Sequence, residues 1–400
     1  MARRFFFGSF RDDTIFTRGD SDWIFSGGGD DYIVSRGGND VIFSGSGHDV
    51  IRAGSGNDYV YAGSGNDTIY GNSGDDLVYG GTGDDSIYGG SGEDFLSGGS
   101  GEDDINGGRD NDVVYGDSGN DRLSGSQGDD SLFGESGDDA IYGGSGLDFL
   151  SGGTGNDSLY GGSGNDALYG ESGNDRLAGN RGEDLLSGGD GDDLLYGGHD
   201  NDLLDGGTGD DSLYGQAGHD VFNIWMSEET GGGDFIHGGS GVDTLVLNLS
   251  AEEYASQAVA DDLDALLAYM ADGMGEYGEV SSNTLDLTAL NLRVKNIEAV
   301  RVYIDGVEFD PSDAGPDTGG NTDPIAEDDT FFAGENEAIS ENVTTNDTFE
   351  AGTTVTLVSG VTQGTLVLNE DGSFSFDAGN EFDSLADGET TDVSFTYELS

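Results

Sequence analysis

Gly80-Gly81-Thr82-Gly83-Asp84-Asp85-Ser86-Ile87-Tyr88 is followed without a break by Gly89-Gly90-Ser91-Gly92-Glu93-Asp94-Phe95-Leu96-Ser97. Both nonapeptides have glycine at positions one, two and four, aspartate at six and an aliphatic residue at eight. The same phase runs from Gly8 to Asn223, through 24 consecutive copies. Position six is Asp in all 24, and position eight is Ile, Val or Leu in 23, with Phe222 in the last. Position four is Gly in 20 copies, the exceptions being Arg11, Asp20, Asp110 and Asp200. Self-similarity at a fixed period marks an array of stacked units.

The pattern dictates a geometry. The last three residues of each copy alternate outside, inside, outside, as a short strand must. The six before them are glycine-rich and polar, suited to a turn with positive φ angles. Two strands and two turns per 18 residues make a flattened coil in which residue i lies over residue i+18. The sheets are parallel, and one aliphatic side chain per copy points inward. Burying it contributes about 1.5–3 kcal/mol, well short of the backbone entropy lost in ordering its repeat. Stacking also sets Asp67 beside Asp85 and Asp85 beside Asp103, in an unbroken column of carboxylates.

Composition sharpens that conflict. The 400 residues include 81 Asp or Glu against 13 Lys or Arg, a formal net charge of −68. Such a charge opposes compaction, and with low hydrophobicity it is a signature of disorder. Yet aromatic residues make up 10% of the chain, high for a disordered one. Phosphate-bearing partners are disfavoured: neither nucleic acid nor an anionic membrane surface suits this charge. With no cysteine there is no disulfide, thiolate metal site or cysteine nucleophile. A cation between successive turns resolves the conflict. Carboxylates and carbonyls are hard ligands, suited to calcium more than to zinc or copper. Calcium also tolerates loose geometry where magnesium demands an octahedron.

These residues resemble the calcium-binding nonapeptide of RTX proteins, the hemolysin-type repeat G-G-x-G-x-D-x-U-x. The resemblance covers residues 8–223 and continues at Gly238-Gly239-Ser240-Gly241-Val242-Asp243-Thr244-Leu245-Val246. It implies an all-β, parallel β-roll solenoid with calcium held between adjacent turns on each side. The ligands it implies are turn carbonyls and the position-six carboxylates. These are Asp31, Asp40, Asp49, Asp58, Asp67, Asp76, Asp85, Asp94, Asp103, Asp112, Asp121 and Asp130, then Asp139, Asp148, Asp157, Asp166, Asp175, Asp184, Asp193, Asp202, Asp211 and Asp220, with Asp243 beyond. The first two copies lack the glycines, and Asp110 and Asp200 are expected to distort their turns. Twelve turns a side leave 22 gaps; 22 divalent ions would set +44 against −68, leaving −24. Position five is mixed (Asp84, Glu93, Asn57, His48, Leu147) and reads as a solvated bystander.

Position nine is aromatic in 14 copies, ten of them Tyr. Tyr61 is expected to stack near Tyr79, Tyr70 near Tyr88 and Tyr142 near Tyr160. Such pairs stabilise a sheet; a face of them also suits a glycan or another surface. His48, His199, His219 and His237 share no spacing that suggests zinc.

The phase breaks after Asn223, and Asp220 and Asp234 stand 14 apart. Residues 224–310 read as a cap for the solenoid end, opened by the apolar cluster Phe222, Ile224 and Trp225. It contains one helix over 251–271, begun by a Ser250/Glu253 capping box. Tyr254, Ala258, Val259, Leu263, Leu266, Leu267 and Met270 form its apolar stripe. Short strands follow near 285–287, 292–294 and 300–304. Residues 311–324 hold all three prolines and read as a linker. Residues 325–400 alternate as strands, with Asp371-Gly372 as a hairpin turn. Pro324–Asp329, Val343–Thr348 and Gly364–Leu366 resemble bacterial cadherin-like modules of the VCBS type. This implies a partial β-sandwich and calcium at Asp328, Asp329 and Asp347. The chain stops at Thr396-Tyr397-Glu398-Leu399-Ser400, where such modules carry on, so a longer parent chain is expected.

Three function classes compete: an extracellular calcium-dependent adhesin, a surface-layer or stalk component, and the secretion tail of an enzyme. Roll, cap, linker and module account for nearly every residue, and neither H-E-x-x-H nor G-x-S-x-G occurs. The reading is therefore non-enzymatic, with adhesion favoured by the cadherin-like resemblance. A glycan or cell-surface ligand is the expected macromolecular partner. Met1–Gly8 lacks the apolar run of a signal peptide, and no stretch of about 20 apolar residues spans a membrane. The RTX resemblance implies type I secretion to the cell exterior.

Overall fold

The computed structural model describes residues 4–225, 233–273, 284–304, 307–309, 338–342, 355–359, 365–369, 373–377 and 396–399. The chain forms two compact units, Met1–Pro311 and Ser312–Ser400. The linker at 311–324, the Asp371-Gly372 turn and Asp328, Asp329 and Asp347 lie outside the described residues.

The first unit is a parallel β-solenoid. Alternate copies of the nonapeptide build two sheets of 16 and 15 strands, including those of the cap. The register is 18 throughout the repeats: Ile87 pairs with Ile105 and with Ile69, and Leu96 pairs with Val114 and with Val78. From Val41–Ser46 to Ser212–Ala217 each strand is six residues long, as in Ser86–Ser91 or Phe95–Ser100, not three. Pairing continues through positions one to three, as Gly90–Gly108 and Ser91–Arg109 show. The turn is therefore confined to positions four to six. Positions eight and one both face inward. Position eight supplies an unbroken core of aliphatic side chains, from Ile24 through Leu213 to Phe222, all without solvent exposure.

The outer faces carry the aromatic residues. Tyr70–Tyr88 and Tyr142–Tyr160 stack with ring centroids 5.1 Å apart, as expected. Tyr79 instead packs on Tyr59 at 6.1 Å. Position seven also faces outward, so its aromatic residues compete along the diagonal. Trp23, Tyr59, Phe95 and Phe149 thereby join the 16-stranded sheet into a ring ladder from Phe5 to Tyr169. On the other sheet, Arg52, Arg122 and Arg176 lie over Tyr70, Tyr142 and Tyr196.

Beyond the repeats, Val221–Trp225 continues one sheet; Phe222 and Ile224 are buried while Trp225 faces outward. The cap's helix comes in two pieces, α1 (Ala251–Tyr254) and α2 (Gln257–Gly273), rather than one. The Ser250/Glu253 capping box starts α1. The break falls at Ala255-Ser256, where the Ser256 N–H bonds back to Glu253 O and its carbonyl accepts the Ala260 N–H. Val259, Leu263 and Leu266 join the roll's core. Leu292–Lys295 and Ala299–Ile304 add parallel strands to the two sheets.

In the second unit, Ala338–Asn342, Thr365–Leu368 and Ser373–Asp377 form one antiparallel sheet. Val355–Ser359 pairs antiparallel with Thr396–Leu399.

Candidate metal centre

Each turn closes at its position-six aspartate, whose side chain folds inward. The 23 position-six residues singled out above, Asp31 to Asp220 and Asp243, are each at most 3% exposed. They form two columns, one beside each row of turns. In both columns the N–H of one aspartate donates to Oδ1 of the aspartate a turn further on. Asp67 to Asp85, Asp85 to Asp103 and Asp49 to Asp67 each span 2.7 Å; Asp58 to Asp76 and Asp76 to Asp94 span 2.8 Å. Oδ2 of every one of the 23 is buried and has no hydrogen-bond partner.

A buried, half-satisfied carboxylate is costly unless something positive reaches it. From Asp40 onward burial pushes these carboxyls up, to about 7 for Asp67, Asp85 and Asp103 and about 8 for Asp112 and Asp193. The N–H donor from the turn before opposes the rise, and neighbouring carboxylates add to it. The chain's own cations are not spent here. Among the described residues the one ion pair is Arg4–Asp20, and three arginines of the roll lie over tyrosine rings instead.

Among the described residues, no group of three or more His, Cys, Asp and Glu side chains could hold an ion by itself. Backbone oxygens must supply the rest, and the glycines uncover them. A Cβ at Gly80 would collide with Asp85 Oδ2 and come within 2.8 Å of Gly98 O. The carboxylate oxygen and the next turn's carbonyl thus border one small space. At Gly83 (φ +113°) a Cβ would run into Gly65 O. This donor set is all oxygen, part anionic and part carbonyl, and fits a hard divalent cation of calcium's kind.

Asp110 and Asp200 keep a left-handed turn, with φ angles of +72° and +77°, backbone that Asp tolerates better than most residues. Asp110 changes the hydrogen bonding: the position-four N–H donates to a position-three carbonyl at Gly83 and Gly101, and to Asp110 Oδ2, at 3.1 Å, at Gly92.

The columns extend beyond the expected residues. Asp22 is wholly buried with both oxygens unpartnered, whereas Asp13 accepts from Ser9 N–H and Oγ. Past the phase break, Asp234 takes the Asp211 N–H at 2.9 Å, although 23 residues separate them. Asp243 takes that of Asp220 at 3.0 Å. Asp234 falls outside the phase of the 24 copies but lies nine residues before Asp243, with Ile236 at position eight; the strand pairing of Leu213 with Ile236 sets it over Asp211.

Position five is not a bystander. Its exposed side chain accepts the N–H of position five one turn on, as in Asp138 to Asn156 at 2.8 Å and Asn120 to Asp138 at 2.9 Å. His48 and His219 accept through Nδ1, from Asn66 and Val242. The mixed residues share an acceptor atom, which residue identity alone hides. Leu147 interrupts the row. This outer ladder runs opposite to the inner one: the acceptor precedes the donor in sequence.

The sequence model of the RTX calcium-binding nonapeptide repeat matches residues 7–42, 43–78, 79–114, 115–150, 142–177, 169–204, 200–223 and 230–249. Residues 321–400 match that of a bacterial Ig domain, over the stretch whose sequence resembles cadherin-like modules. A search of the curated proteins found no match. The repeat matches cover more than half of the chain and coincide with the solenoid whose turns hold the carboxylate columns, and the chain belongs to the RTX calcium-binding nonapeptide repeat family.

Proposed function

We propose that the roll is a calcium-folded module of an extracellular adhesin, with ions between stacked turns bound by Asp31 to Asp220 and Asp243. The observation that carries this is the row of buried Oδ2 atoms, one per turn and none with a donor. Calcium, when bound, supplies two positive charges between carboxylates that otherwise repel. The chain's own residues do the rest. Oδ1 is fixed by the N–H of the preceding turn, which aims Oδ2, and glycines leave carbonyl oxygens bare beside it. Extracellular calcium modules bind at about 10⁻⁴–10⁻³ M, so the chain stays unfolded inside a cell and folds outside, binding energy becoming folding energy. This suits type I export, in which an unfolded chain is passed out. The bacterial Ig domain match supports an adhesive role for the exported protein, with a glycan or cell-surface ligand as its partner. In this reading residues 8–223 are the roll, 224–310 its cap, 311–324 a linker and 325–400 an adhesive module. The acids have structural rather than catalytic roles.

Circular dichroism with and without calcium tests the folding step. A strand signal indifferent to EDTA sinks it. Binding of the calcium-loaded chain to a glycan array or to cells tests adhesion, whereas ordered two-dimensional self-assembly would support a surface-layer role instead.

A further inference from the structure

One carboxylate column does not end where the repeats end. Ala299–Ile304 of the cap pairs in parallel with Thr244–Leu249, Thr244 facing Ala299. Glu298 therefore stands over Asp243 as Asp103 stands over Asp85. The Asp243 N–H donates to Glu298 Oε2 at 2.8 Å, repeating the bond of the column across 55 residues of chain. The carbonyl is replaced too. A Cβ at Gly238 would collide with both Asp243 Oδ2 and Asn296 O, the pair that matches Asp85 Oδ2 and Gly98 O at Gly80. Asp243 is wholly buried and its Oδ2 has no partner.

The cap reaches this arrangement with fewer residues. Asn296, at φ +52°, reverses the chain so that carbonyl and carboxylate come from positions two apart, where a repeat separates them by five. The extra methylene of Glu over Asp suits the shorter turn. The other column ends differently, for its strand pairing sets Leu292 over Asp234. Asn296 is also held from behind: its N–H donates to the Tyr269 hydroxyl of α2, and its side-chain amide to Gly239 O, both at 3.2 Å.

We propose that Asp243, Glu298 and the Asn296 carbonyl form a calcium site between roll and cap. This rests on the calcium reading of the columns given above. An ion there joins the last repeat to the turn that α2 supports, so the cap locks onto the roll only when calcium is present.

Trypsin reads the cap separately from the roll. The chain's last three cations, Arg293, Lys295 and Arg301, flank Glu298, and those before them, Arg176 and Arg181, lie in the roll. Glu298→Gln keeps an oxygen for the Asp243 N–H but removes the anion. In the full chain this variant is expected to bind one calcium fewer by equilibrium dialysis. It should also need about tenfold more calcium for protection at Lys295, with protection at Arg176 and Arg181 unchanged. Glu252→Gln, on the exposed face of α1, should behave as wild type. If Lys295 protection and calcium number in Glu298→Gln match wild type while the roll is protected, the clasp is wrong. If calcium fails to protect Arg176 and Arg181 in wild type, the column reading falls, and the clasp with it. Should Glu298→Gln lose protection along the whole roll, Glu298→Asp decides: partial recovery at Lys295 supports the site, and none overturns it.

Discussion

Asp67 and Asp85, one turn apart, share a single hydrogen bond of 2.7 Å from the Asp67 N–H to Asp85 Oδ1, while Asp85 Oδ2 meets no donor. Each aspartate thus does two jobs with two oxygens, and substitution separates them.

At Asp130, which takes the Asp112 N–H at 2.8 Å, Asn keeps the acceptor and loses the charge, whereas Ala loses both. Both variants should need more calcium to fold at pH 7.5, Asp130→Ala more so. Leaving the Asp112 N–H without an acceptor adds about 1–3 kcal/mol. Calcium titrations followed by circular dichroism check this; distant turns should still fold, because contacts are between neighbours. An Asp130→Asn chain with the wild-type calcium number contradicts a ligand role.

Acid should stabilise the metal-free roll. Folding raises these carboxyls from 3.8 to about 6 at Asp76 and Asp175, about 7 at Asp85 and Asp148, and about 8 at Asp58 and Asp202. The folded form then binds more protons than the unfolded chain between those values, so its stability falls as pH rises through them. In EDTA, strand content should appear as pH drops from about 8 toward about 4. With calcium the direction reverses, since protons compete for the same oxygens. Circular dichroism against pH, with and without calcium, gives both curves; parallel curves would falsify the idea.

Position four should accept Asp and reject branched residues. Gly83 has φ +113° and Asp110 φ +72° in equivalent turns. Gly83→Asp is expected to fold with a modestly raised calcium midpoint. Either side chain places a Cβ against Gly65 O, which a shift of φ toward the +72° of Asp110 relieves; Gly83→Val should lose about 1–2 kcal/mol more to left-handed backbone strain. Urea unfolding in saturating calcium measures the difference, and equal losses would refute it.

The outer ladder gives a prediction of gain. Asp138→Ala removes the acceptor of the Asn156 N–H and should cost about 0.5–1.5 kcal/mol. Leu147→Asn restores an acceptor to the row and removes an apolar side chain that is 59% exposed; it should stabilise the roll by a similar amount. Urea midpoints of the two variants should move in opposite directions.

The nine-residue phase made Ile87, Asp85 and the step of 18 readable, because one residue type recurs where one contact recurs. It could not show that Asn66, Asp75 and His48 do the same work, since the shared property is an acceptor atom rather than a residue. Strand length escapes the pattern because Gly90 and Ser91 carry turn chemistry yet remain paired. Glu298 stays hidden for another reason. Its place over Asp243 is set by strand pairing in the cap, which has no period to read there. Tyr61 and Tyr79 are register partners, but whether rings meet straight or diagonally depends on position seven as well.

Every inner aspartate except those at the ends faces two gaps, giving an oxygen to one and a backbone donor toward the other. Occupying one gap therefore prepares its neighbours on both sides. A row built this way responds to its surroundings as a zipper does, hard to start and easy to continue. The sharpness of the response is set by how many teeth there are, not by how tightly any one of them grips. Adding or deleting pairs of nonapeptides would then change how abruptly the protein responds to calcium, while leaving each individual site the same.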